Sequence, residues 1–586
     1  MGLVTDAVAF LIPARGGSRR VPAKNLQPVA GIPLVGRAVR TARRAAAGLA
    51  GGPHAVVCST DDPRTAETAR AWGAETLDRP AELATDEASS VDVALHALDW
   101  LQRRGTTVRT LVLVQPTSPL TEPADLVAAL ALHAESNGRT VVSVTATHPA
   151  AWHMSRDLER GPALARLRAV DAGDTAEADE LLTGAIYVVS PATLRRTHRF
   201  VDEDALVLRI PAERSVDIDE PEDFVIAEAF AASRPIRTLE LADRRIGEGP
   251  AFLIAEGGVN HNGRPDLAHR LVDAAAGSGA DAVKFQTFDP EALAAVGAPT
   301  AEYQRRSVAA GTDQRGMLAA LALPEREWAA LRDHARERGL VFLSTPFDDA
   351  SADLLDGLDV PAFKVASGEL TNLPFIERLA RRGRPLLIST GMATMVEVAQ
   401  AVDAVADAGD PPVALLHCVS SYPAPAADAN LRAIATLRRA FAVPAGWSDH
   451  TLGIELPLAA VAGGAALVEK HLTLDRSMAG PDHAASLEPD AFRTMADGIR
   501  AVEAALGSGD KRPSEAEVEM AAIVRRSLHW RRSLPAGRAI SASDLVALRP
   551  GTGLGPARLT DLVGRRTTRP VIAGDLVAPG DWDAPR

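Results

Sequence analysis

The sequence has little cysteine and no long apolar stretch. Its 586 residues include two cysteines, Cys58 and Cys418, which lie far apart in the chain. We therefore expect no disulfide framework, and a reducing cytoplasm fits this cysteine usage. The apolar run at residues 7–13 has no basic segment before it and no cleavage site after it. Because no apolar stretch reaches about 18 residues, the expectation is a cytoplasmic protein without a membrane role.

Lysine is also scarce, and the net charge is negative. Lys and Arg together number 63, and the lysines are Lys24, Lys284, Lys364, Lys470 and Lys511. In such an arginine-rich background, a retained lysine indicates a site that needs a compact ammonium group, although chance retention is the alternative. The formal net charge of −13 argues against a nucleic-acid or anionic-membrane binder. Any anionic ligand therefore requires a local cluster of cations.

Residues 1–235 alternate short apolar runs with helical stretches. Strands are expected at residues 8–12, 55–59, 110–114, 140–145 and 184–189, with helices such as 34–47 and 89–103 between them. This alternation predicts an α/β domain with a mostly parallel sheet covered by helices on both faces. The short Pro-containing stretch at residues 231–235 ends it, and no Gly/Ser tether separates it from the next domain.

Residues 236–510 contain eight short apolar runs, most of them followed by a helical stretch, which predicts a (β/α)8 barrel. The runs are residues 251–256, 281–286, 340–345, 362–367, 386–390, 413–418, 445–449 and 467–472. Polar side chains end all eight: Glu256, Lys284, Gln286, Thr345, Lys364, Ser367, Ser389, His417, Ser448, Asp449, His450, Glu469 and His471. In this fold the active site is built at those strand ends, so we expect it there.

Residues 511–586 predict a small β-rich domain. Residues 535–540 and 572–577 are weakly similar to each other, with Pro-Ala-Gly at the start of the first segment and Ile-Ala-Gly at the start of the second. We call this similarity the echo. The echo is either an internal repeat or simply two glycine turns.

The loop after the first predicted strand has the composition of a phosphate site. Residues 13–25 contain two glycines, which let the backbone approach a ligand closely, and no acid. Their four cations are Arg15, Arg19, Arg20 and Lys24. The Gly-Lys-Ser/Thr ending of a P-loop is missing. A solvated basic loop is the alternative, but the position directly after a strand favours a phosphate cradle.

Residues 12–25 and several later motifs resemble the CMP-sialic acid synthetases, a cytidylyltransferase family. The later motifs are Ser59-Thr60-Asp61-Asp62, Arg79-Pro80 with Ser89-Ser90, Gln115-Pro116-Thr117-Ser118-Pro119, Gly184-Ala185-Ile186-Tyr187 and Asp217-Ile218-Asp219. The resemblance implies a nucleotidyltransferase Rossmann-like domain that joins CTP to a nonulosonic acid, giving the CMP-sugar and pyrophosphate. The CMP-KDO synthetases are the nearest alternative, but the glycine pair at 16–17 and Lys24-Asn25 fit the sialic-type pattern better.

The same resemblance implies roles for single residues. Arg15 and Lys24 would hold the triphosphate. The nucleotide would be surrounded by Asn25, Arg79, Ser90 and Gln115, and the sugar would lie near Gln115, Tyr187 and Phe200. Asp217 and Asp219 would hold Mg²⁺, a hard cation that prefers oxygen ligands. Their i, i+2 spacing places both carboxylates on one side of an extended segment.

The barrel motifs resemble N-acetylneuraminate synthase. They are residues 254–263, 283–287, 344–347, 364–369, 389–392, 416–423, 448–451, 469–471 and 480–483. The last domain resembles the antifreeze-like (SAF) domain that these synthases carry. The family condenses phosphoenolpyruvate with an N-acylated mannosamine-type sugar: carbon 3 of the enol attacks the open-chain aldehyde, water adds at carbon 2, and phosphate leaves.

This second resemblance also implies site residues. His450 and His471 would bind a divalent metal, Mn²⁺ by family, that polarises the aldehyde. Phosphoenolpyruvate would be held by Lys284, Lys364, Thr345, Ser367, Ser389, Ser420 and Ser448, with Ser420 standing where some relatives have Asn. Glu369 would bind sugar hydroxyls. Substrate orientation or proton movement would fall to Glu256, Gln286, Tyr422 and Asp482. Arg549 would reach the N-acyl group of the sugar from the terminal domain of a partner subunit.

The sequence thus predicts a bifunctional transferase with Mn²⁺ in the barrel and Mg²⁺ in the cytidylyltransferase domain. Its sugar is N-acetylmannosamine or 2,4-diacetamido-2,4,6-trideoxymannose, which leaves a sialic and a legionaminic product open. The alternatives are a KDO-type pathway fusion, or a chain with one inactive half that acts as a single-activity enzyme and carbohydrate-binding scaffold. Both families commonly form two-fold dimers, so a homodimer or higher homo-oligomer is expected, with the C-terminal domain over a partner barrel.

Overall fold

The computed structural model describes residues 7–50, 54–85, 87–146, 180–305 and 312–583. The chain forms two compact units, Met1–Ala505 and Leu506–Arg586. The described part of the first unit contains a seven-stranded sheet and an eight-stranded parallel barrel, and that of the second contains a two-stranded sheet. Among the described residues, we find no helix with the length and apolar character needed to cross a membrane.

The N-terminal domain is a mixed sheet with helices packed on it. Its strands are β1 (Ala7–Pro13), β2 (Pro28–Val29), β3 (Ile32–Pro33), β4 (Ala55–Thr60), β5 (Glu75–Asp78), β6 (Val108–Val114), β7 (Val141–Ala146), β8 (Glu180–Val189) and β9 (Leu206–Arg209). Its helices are α1 (Leu34–Ala47), α2 (Pro63–Ala71), α3 (Ser90–Arg103), α4 (Pro123–Glu135), α5 (Pro191–Thr197) and α6 (Pro221–Ser233). The large sheet has the order β5-β4-β1-β6-β8-β7-β9, and β8 runs antiparallel to both of its neighbours. The predicted, mostly parallel α/β sheet is confirmed.

Helix α1 shows how the sequence covers this sheet. Its buried positions include Leu34, Val35, Ala38, Val39 and Ala42, which recur every three to four residues and form one apolar stripe. The stripe packs against the buried residues of the sheet, and the arginines of α1 lie on its other faces. Because the residues after β1 leave the sheet at its carboxyl edge, the predicted phosphate loop lies there.

The barrel strands follow β10 (Leu239–Leu241) and β11 (Arg244–Ile246). They are β12 (Phe252–Gly258), β13 (Ala282–Thr287), β14 (Val341–Pro346), β15 (Phe363–Val365), β16 (Leu386–Ser389), β17 (Val413–Cys418), β18 (Ala445–Asp449) and β19 (Leu467–His471). The helices are α7 (Pro265–Gly277), α8 (Pro290–Leu293), α9 (Glu302–Arg305), α10 (Gln314–Leu321), α11 (Glu327–Glu337), α12 (Asp349–Gly357), α13 (Leu373–Ala380), α14 (Met395–Asp407), α15 (Arg432–Phe441), α16 (Glu455–Ala462) and α17 (Pro489–Leu506). All eight predicted barrel strands are confirmed.

The strands form a nearly closed parallel barrel in the order β14-β13-β12-β19-β18-β17-β16-β15, with β15 packed beside β14. Every residue of β12 is buried, as expected for a parallel strand covered on both sides. The antiparallel hairpin β10–β11 was not predicted. Its residues Leu239, Leu241 and Ile246 pack with the inward-facing residues at the strand starts, so the hairpin covers the amino-terminal end of the barrel.

The second unit is small and has its own core. Its elements are α18 (Glu515–Val524), β20 (Ser527–Trp530), β21 (Leu545–Leu548) and α19 (Leu559–Leu562). Leu528, Trp530 and Leu562 are at the centre of the core. Gly537 and Gly574 in the two echoing segments both adopt a positive φ, and Leu534 pairs with Val571 beside them. Both segments are therefore glycine turns, which agrees with either interpretation of the echo.

Candidate functional site

Four buried charged side chains form the centre of the barrel site. Glu256, Lys284, Lys364 and Glu469 come from β12, β13, β15 and β19. Lys284 Nζ lies 2.5 Å from Glu256 Oε2 and 3.8 Å from Glu469 Oε2, while Lys364 Nζ lies 3.7 Å from Glu469 Oε1. Alternate residues of neighbouring parallel strands point into the barrel, and this geometry places the four groups together.

The charges in this cluster shift one another's pKa values. Burial raises the pKa of Glu256, and Glu469 adds to the rise against the opposing Lys284. Burial alone would also raise the pKa of Glu469, but Lys284 and Lys364 outweigh it and lower that pKa. Burial lowers the pKa of Lys364, whereas the carboxylates around Lys284 outweigh burial and raise its pKa. One carboxylate, Glu469, is thus stabilised between two ammonium groups.

Hydroxyl groups extend the lysine pair. Lys284 Nζ donates to Thr345 Oγ1 at 3.1 Å, and Lys364 Nζ donates to Ser389 Oγ at 2.6 Å. Ser448 Oγ donates to Glu469 Oε1 at 2.9 Å. These three predicted hydroxyls are therefore brought into the cluster.

Ser367 and Ser420 meet at the turn after β16. The amide of Gly391 donates to Ser367 Oγ at 3.0 Å, and Ser367 Oγ lies 3.0 Å from Cys418 Sγ. A methyl group placed on Gly391 would collide with Ser420 Oγ and lie 2.8 Å from Ser367 Oγ. Glycine is required here because the backbone passes directly against these side chains.

Two histidines lie next to the charged cluster. The rings of His450 and His471 are 5.4 Å apart, and Tyr422 stacks 4.2 Å from His450 and 5.9 Å from His471. His450 Nδ1 lies 2.8 Å from the carbonyl of Val419, and His471 Nδ1 is buried without a hydrogen-bond partner among the described residues. Burial lowers the pKa of both imidazoles, which favours the neutral form that binds metals.

This donor set fits a metal site completed by other oxygen ligands. No group of three or more His, Cys, Asp or Glu side chains within the described ranges is arranged to hold a metal ion. Two neutral imidazoles, one with an unpartnered buried nitrogen, leave open positions for substrate or water, as in catalytic rather than structural sites.

The other predicted barrel residues lie in different surroundings. Gln286 Nε2 donates to Glu256 Oε1 at 3.3 Å, so Gln286 joins the cluster. Asp482 is buried, and burial raises its pKa to about 6 although the nearby Lys284 opposes the rise. Glu369 follows β15 and accepts a hydrogen bond from Asn372 at 2.8 Å. Arg549 belongs to the second unit, where it is exposed and donates to the carbonyl of Val524 at 3.0 Å.

The structure adds Glu469 and separates Lys470 from the site. Glu469 was recognised as a polar strand end, but the resemblance carried no role for it, and only its position between two lysines shows its importance. Lys470 points away from the cluster and donates to Asp449 Oδ2 at 2.6 Å and to the carbonyl of Thr451 at 2.5 Å. It is a buried ion-pair residue beneath the strand ends.

The N-terminal domain has a cavity of about 730 Å³ at the carboxyl edge of its sheet. It is lined by six of the eight predicted nucleotide and sugar residues, Arg15, Lys24, Asn25, Arg79, Ser90 and Gln115, and by Asp219, Arg19 and Arg20. Five cations therefore face one cavity. Asn25 Nδ2 donates to the carbonyl of Arg15, and Arg79 Nη2 donates to the carbonyl of Ser59 at 2.6 Å, so both side chains also fix the loop.

A second cavity of about 330 Å³ adjoins the first and shares Ser90 and Gln115 with it. Tyr187 and Phe200 line it, with ring centroids 5.3 Å apart. All three predicted sugar-side residues, Gln115, Tyr187 and Phe200, therefore line one cavity next to the cationic cavity.

Asp217 and Asp219 flank the buried Ile218, and both are exposed. Lys24 Nζ lies 3.2 Å from Asp219 Oδ1 and donates to the carbonyl of Ile218 at 2.6 Å. The two carboxylates fit a hard cation next to a phosphate, because oxygen ligands from one short segment leave positions for phosphate and water.

A cationic cavity at the carboxyl edge of an α/β sheet, followed by a barrel with charged strand ends, defines a nucleotidyltransferase fused to a barrel synthase. Comparisons with known proteins agree. Family models match residues 9–158 (Cytidylyltransferase), 271–511 (NeuB family) and 525–581 (SAF domain). The chain belongs to the NeuB family, and it carries a cytidylyltransferase domain ahead of the barrel. It is therefore a transferase that combines these two enzyme domains.

Individual relatives match a little more than half of the chain. The N,N'-diacetyllegionaminic acid synthase of Legionella pneumophila is 46% identical over 327 residues, which are 55% of this chain and 92% of that protein. The enzyme of the same name from Campylobacter jejuni is 40% identical over 328 residues, 56% of this chain and 98% of that protein. The crystal structure of the N-acetylneuraminic acid synthetase of Leptospira borgpetersenii is 32% identical, with a TM-score of 0.44, and covers 49% of this chain and 96% of that one.

Proposed function

We propose that the chain carries out two consecutive steps. The barrel condenses phosphoenolpyruvate with an N-acylmannosamine-type sugar to a nonulosonic acid plus phosphate, and the N-terminal domain couples that acid to CTP with release of pyrophosphate. The observation that carries the proposal is the pair of buried lysines, Lys284 and Lys364, on either side of Glu469 at the barrel strand ends.

The lysine pair supports a phosphoenolpyruvate site. Phosphoenolpyruvate bears a phosphate and a carboxylate, and Lys284 and Lys364 lie among the hydroxyls of Thr345, Ser389 and Ser448. Charge-assisted hydrogen bonds contribute about 1.5–3 kcal/mol each. Rare lysines in an arginine-rich chain fit this use, because a rotatable ammonium can follow the phosphate as it leaves.

The histidine pair supports a metal next to the aldehyde. His450 and His471 would hold Mn²⁺, with the open positions left for substrate oxygen. When bound, the metal supplies Lewis-acid polarisation of the sugar aldehyde. Tyr422, stacked on His450, keeps that ring in place and bounds the site on one side.

Proton handling falls to the buried acids. Asp482 has a pKa near 6, so it exchanges a proton close to neutral pH. Gln286 fixes the orientation of Glu256 by its hydrogen bond. Asn372 donates a hydrogen bond to Glu369 Oε2. The other carboxylate oxygen of Glu369 binds sugar hydroxyls at the mouth of the barrel.

The nucleotide reaction uses the two adjoining cavities. Arg15 and Lys24 bind the triphosphate of CTP, and Asp217 with Asp219 would hold Mg²⁺, which neutralises phosphate charge when bound. Gln115 and Ser90 line both cavities, so a sugar hydroxyl held against Tyr187 and Phe200 can face the α-phosphorus. Catalysis is then mainly positioning and charge stabilisation.

The sugar is proposed to be 2,4-diacetamido-2,4,6-trideoxymannose, giving a legionaminic product. This choice rests on the relatives from L. pneumophila and C. jejuni, which are 46% and 40% identical. N-acetylmannosamine is the second candidate. Assembly as a homodimer or larger homo-oligomer belongs to the same proposal, and light scattering of the purified chain measures it.

Mass spectrometry of a one-pot reaction tests the proposal. The purified protein receives phosphoenolpyruvate, CTP, Mn²⁺ and Mg²⁺, with both sugars offered in competition. We expect a CMP-linked N,N'-diacetyllegionaminic acid as the main product. A CMP-N-acetylneuraminic acid mass would keep the two reactions and change the sugar. Intact phosphoenolpyruvate with neither sugar consumed would contradict the barrel assignment.

A further inference from the structure

A third cavity, of about 460 Å³, lies between the two catalytic domains. It shares no lining residue with the cavities of the cytidylyltransferase site. On the barrel side it reaches Val413, the first residue of β17, so it lies at the opposite end of the barrel from the charged cluster. A ligand here would occupy neither candidate active site.

The wall formed by the N-terminal domain is rich in arginine. Arg37, Arg40 and Arg44 come from successive turns of α1, and Arg234 and Arg237 follow α6. The lining also contains two carboxylates, those of Glu122 and Asp410. Five guanidinium groups therefore face the cavity against two lining acids.

Some of these arginines are held by ion pairs. Arg40 makes a bidentate pair with Asp403 across the domain interface, at 2.7 and 3.0 Å. Arg237 Nη1 pairs with Asp410 at 2.7 Å, and Arg234 Nη2 pairs with Glu122 at 2.8 Å. These pairs fix the walls, because each one joins different elements around the cavity.

Among the described residues, neither Arg37 nor Arg44 Nε has a hydrogen bond to a carboxylate. Arg37 donates from Nε and Nη2 to the neutral carbonyl of Val29, at 2.8 and 2.6 Å. Burial lowers the pKa of Arg37 to about 9, with Arg40 and Arg234 adding to the effect and Glu228 opposing it. Arg44 Nε is buried without a hydrogen bond to any described residue, and it lies 3.5 Å from Asp403 Oδ1. Asp407 is a second carboxylate that interacts electrostatically with Arg44. An added anion would relieve both groups.

The opposite wall is mainly apolar, apart from the carboxylate of Asp410. Arg40 lies over the Phe441 ring, 5.1 Å from its centroid. Val402 and Val405 come from α14, and Phe441 and Val443 come from the end of α15 and the loop after it. A cavity of this volume lies within the usual range of about 300–1,000 Å³ for small-molecule sites. A bare inorganic anion would use the arginines and leave the apolar wall uncovered.

We propose that this interdomain cavity binds an organic phosphate of nucleotide size, with its phosphate on the α1 arginines and Arg234 and its organic part against α14 and Phe441. The site is additional to the two reactions proposed above. Because both domains line it, a bound ligand stabilises their mutual arrangement.

Hydrogen–deuterium exchange of the full chain tests the site locally, with CMP as the probe. We expect CMP to slow exchange in peptides covering residues 37–44 and 402–413. Peptides covering residues 13–25 report the cytidylyltransferase site separately. Protection at 37–44 without protection at 13–25 would leave this site standing while counting against the proposed nucleotide reaction.

Variants assign the protection to the cavity. The double variant Arg44→Gln with Arg234→Gln should raise the apparent Kd for protection of residues 37–44 at least about tenfold, since two charged donors are lost. Ala406→Leu should do the same by filling the cavity and leaves every arginine in place. Arg43→Gln is the matched control, because Arg43 lies on the same helix, outside the lining, and donates to the carbonyl of Trp72.

Three results would overturn the proposal. The first is no protection of residues 37–44 at saturating CMP. The second is protection that both the double variant and Ala406→Leu leave unchanged. The third is equal protection by inorganic phosphate at the same concentration, which would show a generic anion contact without a role for the apolar wall.

Discussion

At the scale of single residues, both candidate sites contain lysines whose charge faces a cavity or a buried cluster. Lys364 is buried among Ser389, Glu469 and the carbonyl of Val365, whereas Lys511 is exposed in the second unit. Replacing a buried ammonium by an apolar chain removes a charge from the proposed phosphoenolpyruvate site. The same replacement at an exposed lysine removes only a solvated charge.

We therefore expect Lys364→Met to lower kcat/KM for phosphoenolpyruvate by about tenfold or more, from the loss of at least one charge-assisted hydrogen bond. The measurement is phosphate release at varied phosphoenolpyruvate concentration. Lys511→Met is the matched control, and its kcat/KM for phosphoenolpyruvate should stay near that of the unsubstituted protein. Equal rates for the two variants would argue against the lysine pair as the phosphoenolpyruvate site.

We expect the buried carboxylate of Asp482 to lower the free energy of unfolding near neutral pH. Burial raises its pKa from the ordinary 3.8 to about 6 in the folded protein, so the buried carboxylate destabilises the fold increasingly as pH rises through that interval. Asp482→Asn should raise the unfolding free energy at pH 7.5 by on the order of 2–3 kcal/mol, and the gain should shrink below pH 5. Thermal melts at pH 7.5 and below pH 5 measure this difference in stability.

Asp475 provides the opposite control in the same segment. It is exposed, and its pKa is lowered by the side-chain and backbone hydrogen bonds of Ser477. Asp475→Asn should therefore give no stabilisation at pH 7.5. A fall in stability for Asp482→Asn at pH 7.5 would show that its carboxylate is a structural acceptor and not a strained acid.

At the scale of elements, the turn after β16 joins three strand ends of the barrel. Gly391 packs so closely on Ser367, Cys418 and Ser420 that a methyl group would displace them. Gly391→Ala should raise KM for phosphoenolpyruvate several-fold, because Ser367 and Ser420 would move out of position. Gly368→Ala, where a methyl group meets nothing within 4 Å, is the control. Steady-state kinetics on both variants would show a difference, and its absence would contradict a role for this turn.

The sequence predicts elements best where burial is complete. The eight barrel strands are recognisable because a parallel strand covered on both faces is a continuous apolar run, as in β12 and β16. The hairpin β10–β11 was missed, since three-residue strands containing Glu240, Arg244 and Arg245 carry no clear period.

The candidate sites were predictable only in part for a related reason. Motifs indicated which residues end each strand, but not which partners they meet. Glu469 becomes meaningful only once β13 and β15 bring Lys284 and Lys364 to it. The interdomain cavity depends on α1 packing near α14, more than 350 residues later in the chain, and Arg40 carries no local signal for Asp403.

At the scale of the whole first unit, the two catalytic domains are joined by a specific ion pair. Arg40 and Asp403 are each about four-fifths buried and bind in a bidentate manner. A double-mutant cycle with Arg40→Gln and Asp403→Asn should give a coupling energy of about 1–2 kcal/mol in the free energy of unfolding. The exposed pair Arg378–Asp349 should give less, ~0–1 kcal/mol.

We propose that one chain contains two separate active sites acting in sequence. Two single variants test it, Lys364→Met in the barrel and Lys24→Met in the N-terminal domain. Mass spectrometry measures the amount of CMP-sugar formed from phosphoenolpyruvate, sugar and CTP. It is applied to each variant alone and to an equal mixture of the two.

Neither variant alone should make the CMP-sugar at the normal rate, and the mixture should restore it. Lys364→Met should still convert supplied nonulosonic acid, and Lys24→Met should still release phosphate from phosphoenolpyruvate. Loss of both partial reactions in either well-folded variant, or a mixture that fails to restore the product, would contradict two separate active sites acting in sequence.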